Sequence, residues 1–579
     1  MKFALAQMEV IPGNPEKNVR TILRMIKKAK NANIDLIVFP ELCLSGYILC
    51  DMWANEAFCE NLMQYNDILL EASKGIAIAY GNVFWDKEIN RRWKDEQPHP
   101  NKDGRIRKYN AAYILQNGDY AKRIKRCSVL PEGVQAKTLL PNYRIFDDER
   151  YFFSLQDIAK DAGVSLDTLV QPFIIETKER LVQIGFELCE DLWCNEYRKE
   201  GKPLNITNIL IENGAEVIVN ISASPWNYGK NASRDNRIFF LKQEAEKRFV
   251  PFLYVNRIGT ENNGKNIITY DGGTTVYNSD GQPVLLAEKS YEEKLLIFDE
   301  KVFEKSSVER KEKSKIRQKF NAIIKGIQHL QLFTGKNEPL QFVVGLSGGI
   351  DSAVVAALLT NTCGKENVLA INMPSRYNIE KTKTSAKYIA DKLGIELIII
   401  PIEELAKYNN SLLTELDKKL KPSKVMKELS GENIQAKIRG TSILSNIAGR
   451  YGRLMSNNGN KLEIATGYAT LYGDVNGAIS PIGDLTKTEV FEMANFLNKE
   501  IFHSEVIPSK LFPDELFRFD KDKIISGPEL KSKQVSPLKF GYHCALLNAF
   551  TEFIRKSPED ILKWYLQGTM EKNLESQVN

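Results

Sequence analysis

Residues 341–362 read QFVVGLSGGIDSAVVAALLTNT, and the order of residue types in this stretch decides the architecture of its half of the chain. An apolar strand pattern ends at Leu346, two glycines follow a serine, and a helical pattern starts at once. Downstream stand a second apolar run, NVLAINM (367–373), a helical stretch, KTKTSAKYIADKLG (381–394), and a third run, ELIIIPI (396–402). Strands separated by helices of this length predict a parallel sheet with right-handed crossovers. The loop between strand and helix predicts an anion site. Gly348 and Gly349 let the backbone turn tightly and aim N–H groups at phosphate oxygens; the helix amino terminus adds partial positive charge, and the hydroxyls of Ser347 and Ser352 add donors. Both the Walker pattern G-x-x-x-x-G-K-[ST] and the Rossmann G-x-G-x-x-G are absent from it, so the lysine that serves γ-phosphoryl transfer is missing. Asp351 beside polyphosphate is repulsive unless a cation lies between them, which predicts magnesium bound with the nucleotide.

Upstream lies the densest charge run, EKVFEKSSVERKEKSKIRQK (300–319), which reads as a solvated linker between a domain over 1–299 and a second over 320–579. In the first domain, runs such as IDLIVFP, GIAIAYGNVF, AEVIVNIS and PFLYVN alternate with helical stretches, predicting layered strands and helices and an α/β class for the whole chain. At 579 residues with 43% apolar and 26% charged content, the chain is neither disordered nor low-complexity. A formal charge of +5 is too small for an electrostatic nucleic-acid footprint. No apolar run reaches the roughly eighteen residues of a membrane helix, and Gln7 and Glu9 interrupt the amino-terminal apolar stretch, so no membrane association and a cytoplasmic location are expected. Eight cysteines without regular spacing are unlike a disulfide framework, and four histidines outside any ligand pattern disfavour zinc or histidine-based catalysis.

Acid–base work must then fall to other groups. Three hydrophobic strands deliver polar residues at their carboxyl ends: Glu41 in IDLIVFPELCLSGY, Lys137 in AKTLLPNYRIFDDERYF and Cys189 in VQIGFELCEDLW. A thiol with a free pKa of roughly 8.5 is mostly protonated at neutral pH, and Glu190 and Asp191 raise that value further. Glu41 supplies a general base and Lys137 a cation for a developing oxyanion. Cys43, Cys50, Cys59 and Cys194 read as packing thiols. The three segments resemble the Glu-Lys-Cys triad of the nitrilase, or carbon-nitrogen hydrolase, superfamily across residues 1 to about 300. The resemblance implies an α-β-β-α sandwich, attack on an amide or nitrile carbon through a thioester, and Tyr47, Tyr143, Trp193, Ser224 and Arg234 as pocket residues for glutamine. The superfamily's second carboxylate, held near the lysine, is left open among Asp147, Asp148 and Glu149.

In the second half, SGGIDS after a strand resembles the pyrophosphate loop of the N-type ATP pyrophosphatases, which cleave ATP between the α and β phosphates and form an adenylate. INMPSRYN (371–378), GENIQAKIRG (431–440) and GYATLYGDVNGAISPIGDLTKTEVF (467–491) resemble NAD synthetases rather than GMP, asparagine or argininosuccinate synthetases. The nucleotide contacts so implied are Ser347, Gly348, Gly349, Asp351, Ser352, Met373, Arg439, Lys487 and Thr488. Arg439 is suited to the role by its planar fork. Together the halves resemble the glutamine-dependent NAD+ synthetase family from end to end, which implies ATP, nicotinate adenine dinucleotide and glutamine as substrates, an internal ammonia channel and a homo-oligomer. Two other readings are a stand-alone amidase with a structural carboxyl-terminal module and a nucleotide-sensing binding protein; the intact SGGIDS loop argues against both, since a purely structural remnant has no need of a Gly-Gly phosphate loop followed by Asp.

Four stretches depart from the family pattern. Lys437 stands where arginine is common, LEIATGYATLYGD reads as lacking a Thr-Gly-Asn-Lys-Ser-Glu segment before Gly467-Tyr468, SGPELKSKQVSPLKFGYH replaces a Pro-Ser-Ala-Glu-Leu version, and YVNRIGTENNGK lacks Gly-Gln-Asp-Glu after YVN.

Overall fold

Alternation of large apolar residues along paired strands builds the first of two units, Met1–Glu312 and Lys313–Asn579. The computed structural model describes residues 1–85, 107–127, 129–194, 197–199, 202–245, 248–331, 339–378, 380–512, 536–552 and 556–578.

In the first unit, one sheet runs in the order Lys294–Asp299, Lys2–Gln7, Leu36–Val38, Ala77–Trp85, Lys108–Gln116 and Asp119–Tyr120, with Val134–Ala136 also paired to Lys108–Gln116. The other runs Pro283–Leu286, Thr275–Tyr277, Phe252–Asn256, Val217–Ser222, Leu181–Leu188 and Phe173–Glu176. Because side chains alternate faces along a strand, Phe3, Leu5, Leu36 and Val38 of the first sheet meet Val182, Ile184, Phe186, Val219 and Ile221 of the second in one dry core. The opposite faces carry helices such as Pro15–Asn31, whose buried Val19, Ile22, Met25, Ile26 and Ala29 recur at helical spacing. The layering is α-β-β-α, as the resemblance implies.

The charged run at the end of this unit is exposed over most of residues 301–314, as its composition implies, with Val302 buried and Phe303 and Arg310 partly covered. Glu300–Glu304 forms a short 3-10 turn capped by Asp299, with Val302 buried, and Lys315–His329 is already helix. The apolar residues within the run anchor it: Phe303 packs against Phe3 and Phe298.

The second unit holds a four-stranded parallel sheet among the described residues, in the order Glu396–Ile399, Val368–Asn372, Phe342–Gly345 and Leu454–Met455. Helix Ile350–Cys363 is buried from Ile350 to Thr360 apart from a half-covered Asp351, which fits its almost unbroken apolar sequence. Gly440 and Gly473 permit a close backbone approach: a Cβ on Gly440 would lie 2.0 Å from the Gly473 carbonyl oxygen, and one on Gly473 2.9 Å from Ala436. Among the described residues, no helix is long and apolar enough to cross a membrane.

Candidate active sites

Glu41 lies just beyond Leu36–Val38, and its backbone is crowded by the neighbouring strand. A Cβ on Gly81 would fall 2.2 Å from the Leu42 nitrogen and 2.6 Å from Glu41 Cα, so only glycine fits there. The Glu41 carboxylate is fully buried. Its Oε1 accepts from Lys137 Nζ at 2.9 Å and Asn110 Nδ2 at 2.7 Å, and its Oε2 from the Ala223 amide at 2.8 Å. Lys137 Nζ also donates to Asp148 Oδ2 at 3.1 Å and to the Tyr47 hydroxyl at 3.3 Å, while that hydroxyl donates to Asp148 Oδ1 at 2.8 Å. Asp148 is therefore the second carboxylate beside the lysine. Burial opposes the Lys137 charge, but Asp148, Glu41 and Cys189 outweigh it and hold the amine well above its ordinary range.

Cys189 ends strand Leu181–Leu188 with a φ of 40°, a left-handed turn that is strained for a residue with a Cβ and recurs at functional positions. Asp191 fixes this turn against the lysine segment: its Oδ1 accepts from the Thr138 and Leu139 amides at 3.0 and 2.7 Å, and its Oδ2 from Leu188 at 3.1 Å. The thiol is pushed well above its ordinary value, first by burial and then by Glu41, with Lys137 opposing. One ammonium between two carboxylates leaves the cluster short of positive charge. The resting form of Cys189 is the thiol, and its proton must leave during attack.

The pocket residues implied by resemblance fall into two groups. Tyr143, with Tyr197, donates to Glu190, at 3.1 and 3.0 Å to its two oxygens; burial, opposed by Lys137, raises this carboxyl to about 7. Tyr47 belongs instead to the lysine cluster. Ser224 is held by Asn256, and Trp193 packs half-buried against the core. Arg234 is buried, stacks on the Tyr254 ring at 4.1 Å, donates to Tyr277 and Thr275, and leaves Nη1 without a partner. Tyr254 in turn is raised by burial, lowered by Arg234 and raised by Cys189, which puts the arginine's stacking partner in the field of the nucleophile. The YVNRIGTENNGK departure has a structural role. Arg257 and Glu261 form a buried ion pair, and Glu261 accepts from the amides of Tyr47 and Ile48 at 2.8 Å each.

In the second unit the loop folds on itself. Ser347 and Ser352 hydroxyls lie 3.1 Å apart, the Gly349 amide donates to Ser347 Oγ at 3.2 Å, and Gly348 takes a φ of 89°. Asp351 pairs with Lys487 and accepts from Asn460 Nδ2 at 3.0 Å; Glu463 lies 3.9 Å from the same ammonium. Burial and Asp351 raise Glu463 to about 7, with Lys487 opposing. Lys487 sits over the Phe540 ring at 5.4 Å, and Thr488 is buried against Thr486. Met373 is a core residue whose carbonyl accepts from Arg439 Nε at 3.2 Å.

This cluster corrects one expectation. The polar segment expected to be missing before Gly467 is present: Asn458-Gly459-Asn460-Lys461-Leu462-Glu463 keeps Gly-Asn-Lys-x-Glu, differing at Asn458 and at Leu462, which is buried. Its Asn460 and Glu463 are the residues that surround Asp351 and Lys487. Lys437 is exposed. The SGPELKSKQV part of the remaining departure lies outside the described residues.

A Glu-Lys-Cys centre on the α-β-β-α sandwich, followed by a phosphate loop on a parallel sheet, defines an amidohydrolase joined to a nucleotide-activating unit. Residues 2–300 match the carbon-nitrogen hydrolase family and residues 324–515 the NAD synthase family. The glutamine-dependent NAD(+) synthetase of a Synechocystis species is 32% identical over 86% of this chain and 81% of its own length, and that of Xanthomonas campestris pv. campestris is 31% identical over 86% and 79%. The solved structure of the Acinetobacter baumannii glutamine-dependent NAD+ synthetase with ADP is similar at a TM-score of 0.68 and 25% identity, covering 100% of this chain and 92% of that one. The chain belongs to the glutamine-dependent NAD+ synthetases, ligases that build an amide with nitrogen from glutamine.

Proposed function

We propose that the first unit hydrolyses glutamine and the second uses ATP to adenylate the carboxylate of nicotinate adenine dinucleotide, which ammonia converts to NAD+ with release of AMP. Pyrophosphate and glutamate are the other products. The observation that carries this reading is the Lys137 ammonium clasped by Glu41 and Asp148 beside Cys189. As Sγ attacks the carboxamide carbon, Glu41 takes its proton, and Lys137 stabilises the oxyanion. Glu41 returns the proton to the departing nitrogen, then removes one from the water that opens the thioester. Asn110 and the Ala223 amide fix Glu41 throughout. The unpartnered Nη1 of Arg234 takes the α-carboxylate of glutamine, and Glu190, held by two tyrosine hydroxyls, takes the α-ammonium.

In the second unit, backbone donors of Ser347, Gly348 and Gly349 receive the ATP phosphates. Asp351 and Glu463 converge on one cation, Lys487, and such a pair of carboxylates suits magnesium carried by a polyphosphate. Magnesium held there neutralises the phosphate charge. Lys487, given up by Asp351, turns to phosphate, and Arg439 to phosphate or the substrate carboxylate.

Two copies pair through helices Glu403–Leu420 and Lys424–Lys437, where Tyr408, Leu412, Leu416, Leu420, Val425 and Met426 are exposed at helical spacing. A cytoplasmic site fits a reaction fed by ATP and dinucleotide pools.

The test combines ATP, nicotinate adenine dinucleotide and glutamine and follows AMP, pyrophosphate, glutamate and NAD+. Equal yields of the four support the proposal; glutamate without AMP leaves only an amidase.

A further inference from the structure

The chain leaves the first unit through a stretch without helix or strand, and one residue of that stretch is bolted to the glutamine side of the site. Arg310 donates from Nε to Asp235 Oδ2 at 2.6 Å and from Nη2 to Asp235 Oδ1 at 2.9 Å, a two-pronged pairing that only a planar guanidinium makes. The same Nη2 donates to Thr275 Oγ1 at 2.8 Å. Arg234, beside Asp235 on helix Lys230–Glu244, uses the same partners, donating to Thr275 Oγ1 at 3.1 Å and to the Tyr277 hydroxyl at 2.8 Å. Tyr277 passes its own proton to Asp235 at 2.6 Å. Two arginines thus share one phenol and one threonine, while the Asp235 carboxylate is held by Arg310 and Tyr277.

The sharing has a chemical effect. Asp235 is the nearest anion to Arg234 in sequence, yet its oxygens are taken by Arg310 and Tyr277. The Arg234 fork is thereby held on Tyr277 and Thr275, and Nη1 stays unpartnered in a buried setting.

We infer that Arg310 is a positioning residue for glutamine: by occupying Asp235 it keeps Arg234 Nη1 available to the substrate's α-carboxylate. Without Arg310, Asp235 becomes the partner of Arg234 and the pocket loses its free cation. Arg310 stands in the segment leading to Lys313, where the second unit begins. This inference rests on the proposed role of Arg234.

The full-length enzyme and the variants Arg310→Ala, Arg310→Lys, Arg234→Ala and the Arg310→Ala/Arg234→Ala pair test it, with glutamine and glutamine α-methyl ester as amide substrates. Ammonia-supported NAD+ synthesis by the same preparations reports intact protein. Arg310→Ala should raise KM for glutamine roughly tenfold, as loss of a charge-assisted hydrogen bond does, with kcat within about twofold. Its preference for glutamine over the ester should fall by the same factor, lysine should not restore it, and the double variant should be no worse than Arg234→Ala. An unchanged KM in Arg310→Ala beside a raised one in Arg234→Ala overturns the positioning role and leaves the Arg234 reading standing. An unchanged KM in Arg234→Ala overturns that reading, and the inference with it. Equal losses on glutamine and ester would make Arg310 a structural brace only.

Discussion

The two centres solve the problem of buried charge in opposite ways. In the first unit, Lys137 is clasped by Glu41 and Asp148, and in the proposed reaction no substrate has to displace one ion from another. In the second, Asp351 is paired with Lys487, and the Ser347 and Ser352 hydroxyls with each other and Gly349. In the proposed reaction these are placeholder contacts that a polyphosphate and its cation replace. A preorganised site applies its electrostatics to the transition state, whereas a self-neutralised site spends part of its binding energy on exchanging partners.

The largest effect expected is at Cys189. Cys189→Ala should abolish NAD+ formation from glutamine and leave formation from ammonia within about twofold, measured by NAD+ release with each nitrogen source. Loss of both would mean that the centres are not chemically separate. Next come the two ion clusters. Lys137→Ala removes the sole ammonium between two buried carboxylates, so denaturant titration should show the first unit less stable by about 3–5 kcal/mol, alongside loss of glutamine hydrolysis. Asp351→Ala should eliminate AMP release with either nitrogen source and flatten its magnesium response. Its stability cost should be smaller, because Glu463 remains beside Lys487. Similar stability losses in the two variants would erase the contrast.

Smaller effects concern pH. Glu190 titrates near 7, so kcat/KM for glutamine should rise with pH through about 7 as the carboxylate forms, and Glu190→Gln should remove that rise. Stability should respond oppositely at two sets of buried carboxyls. Burial raises Glu187 and Glu190 from an ordinary 4.5 to about 7, so the folded state holds protons that the unfolded chain has released, and their contribution falls as pH rises from 4.5 to 7. Burial pushes Glu489 up, but Lys319 and Lys315 outweigh it and bring it down to about 2. Its contribution is present above 4.5 and lost as pH falls toward 2. Acid titration of unfolding for Glu489→Gln should lack that loss.

Glu41, Lys137 and Cys189 were legible because each follows an apolar strand whose end fixes the side chain's place. While the α-β-β-α order came from the resemblance to the carbon-nitrogen hydrolases, the same logic made the layered strands and helices and the parallel sheet readable. Asp148 was not, since Asp147, Asp148 and Glu149 are chemically alike and only the path of the chain past Tyr47 distinguishes them. Asp191 was hidden by its neighbour: the sequence shows an acid beside a thiol, whereas the fold spends that acid on three backbone amides. Asn460 and Glu463 escaped notice because they also form the capping box of helix Lys461–Thr466, so the stretch reads as an ordinary helix start. The charged run is exposed over most of its length, in keeping with its charge density, but a count of charges does not reveal the carboxylate that Arg310 meets.

The high resting pKa of Cys189 also bears on durability. A thiolate is what peroxide oxidises, and a catalytic cysteine kept permanently ionised would be consumed between turnovers. Here burial, with Glu41 adding to it against Lys137, keeps the sulfur protonated, and in the proposed reaction it stays so until an amide arrives to accept its electrons. Sulfenic acid formation at Cys189 should therefore be slower than in a free thiol at the same pH, a property that a dimedone-trapping time course would read directly.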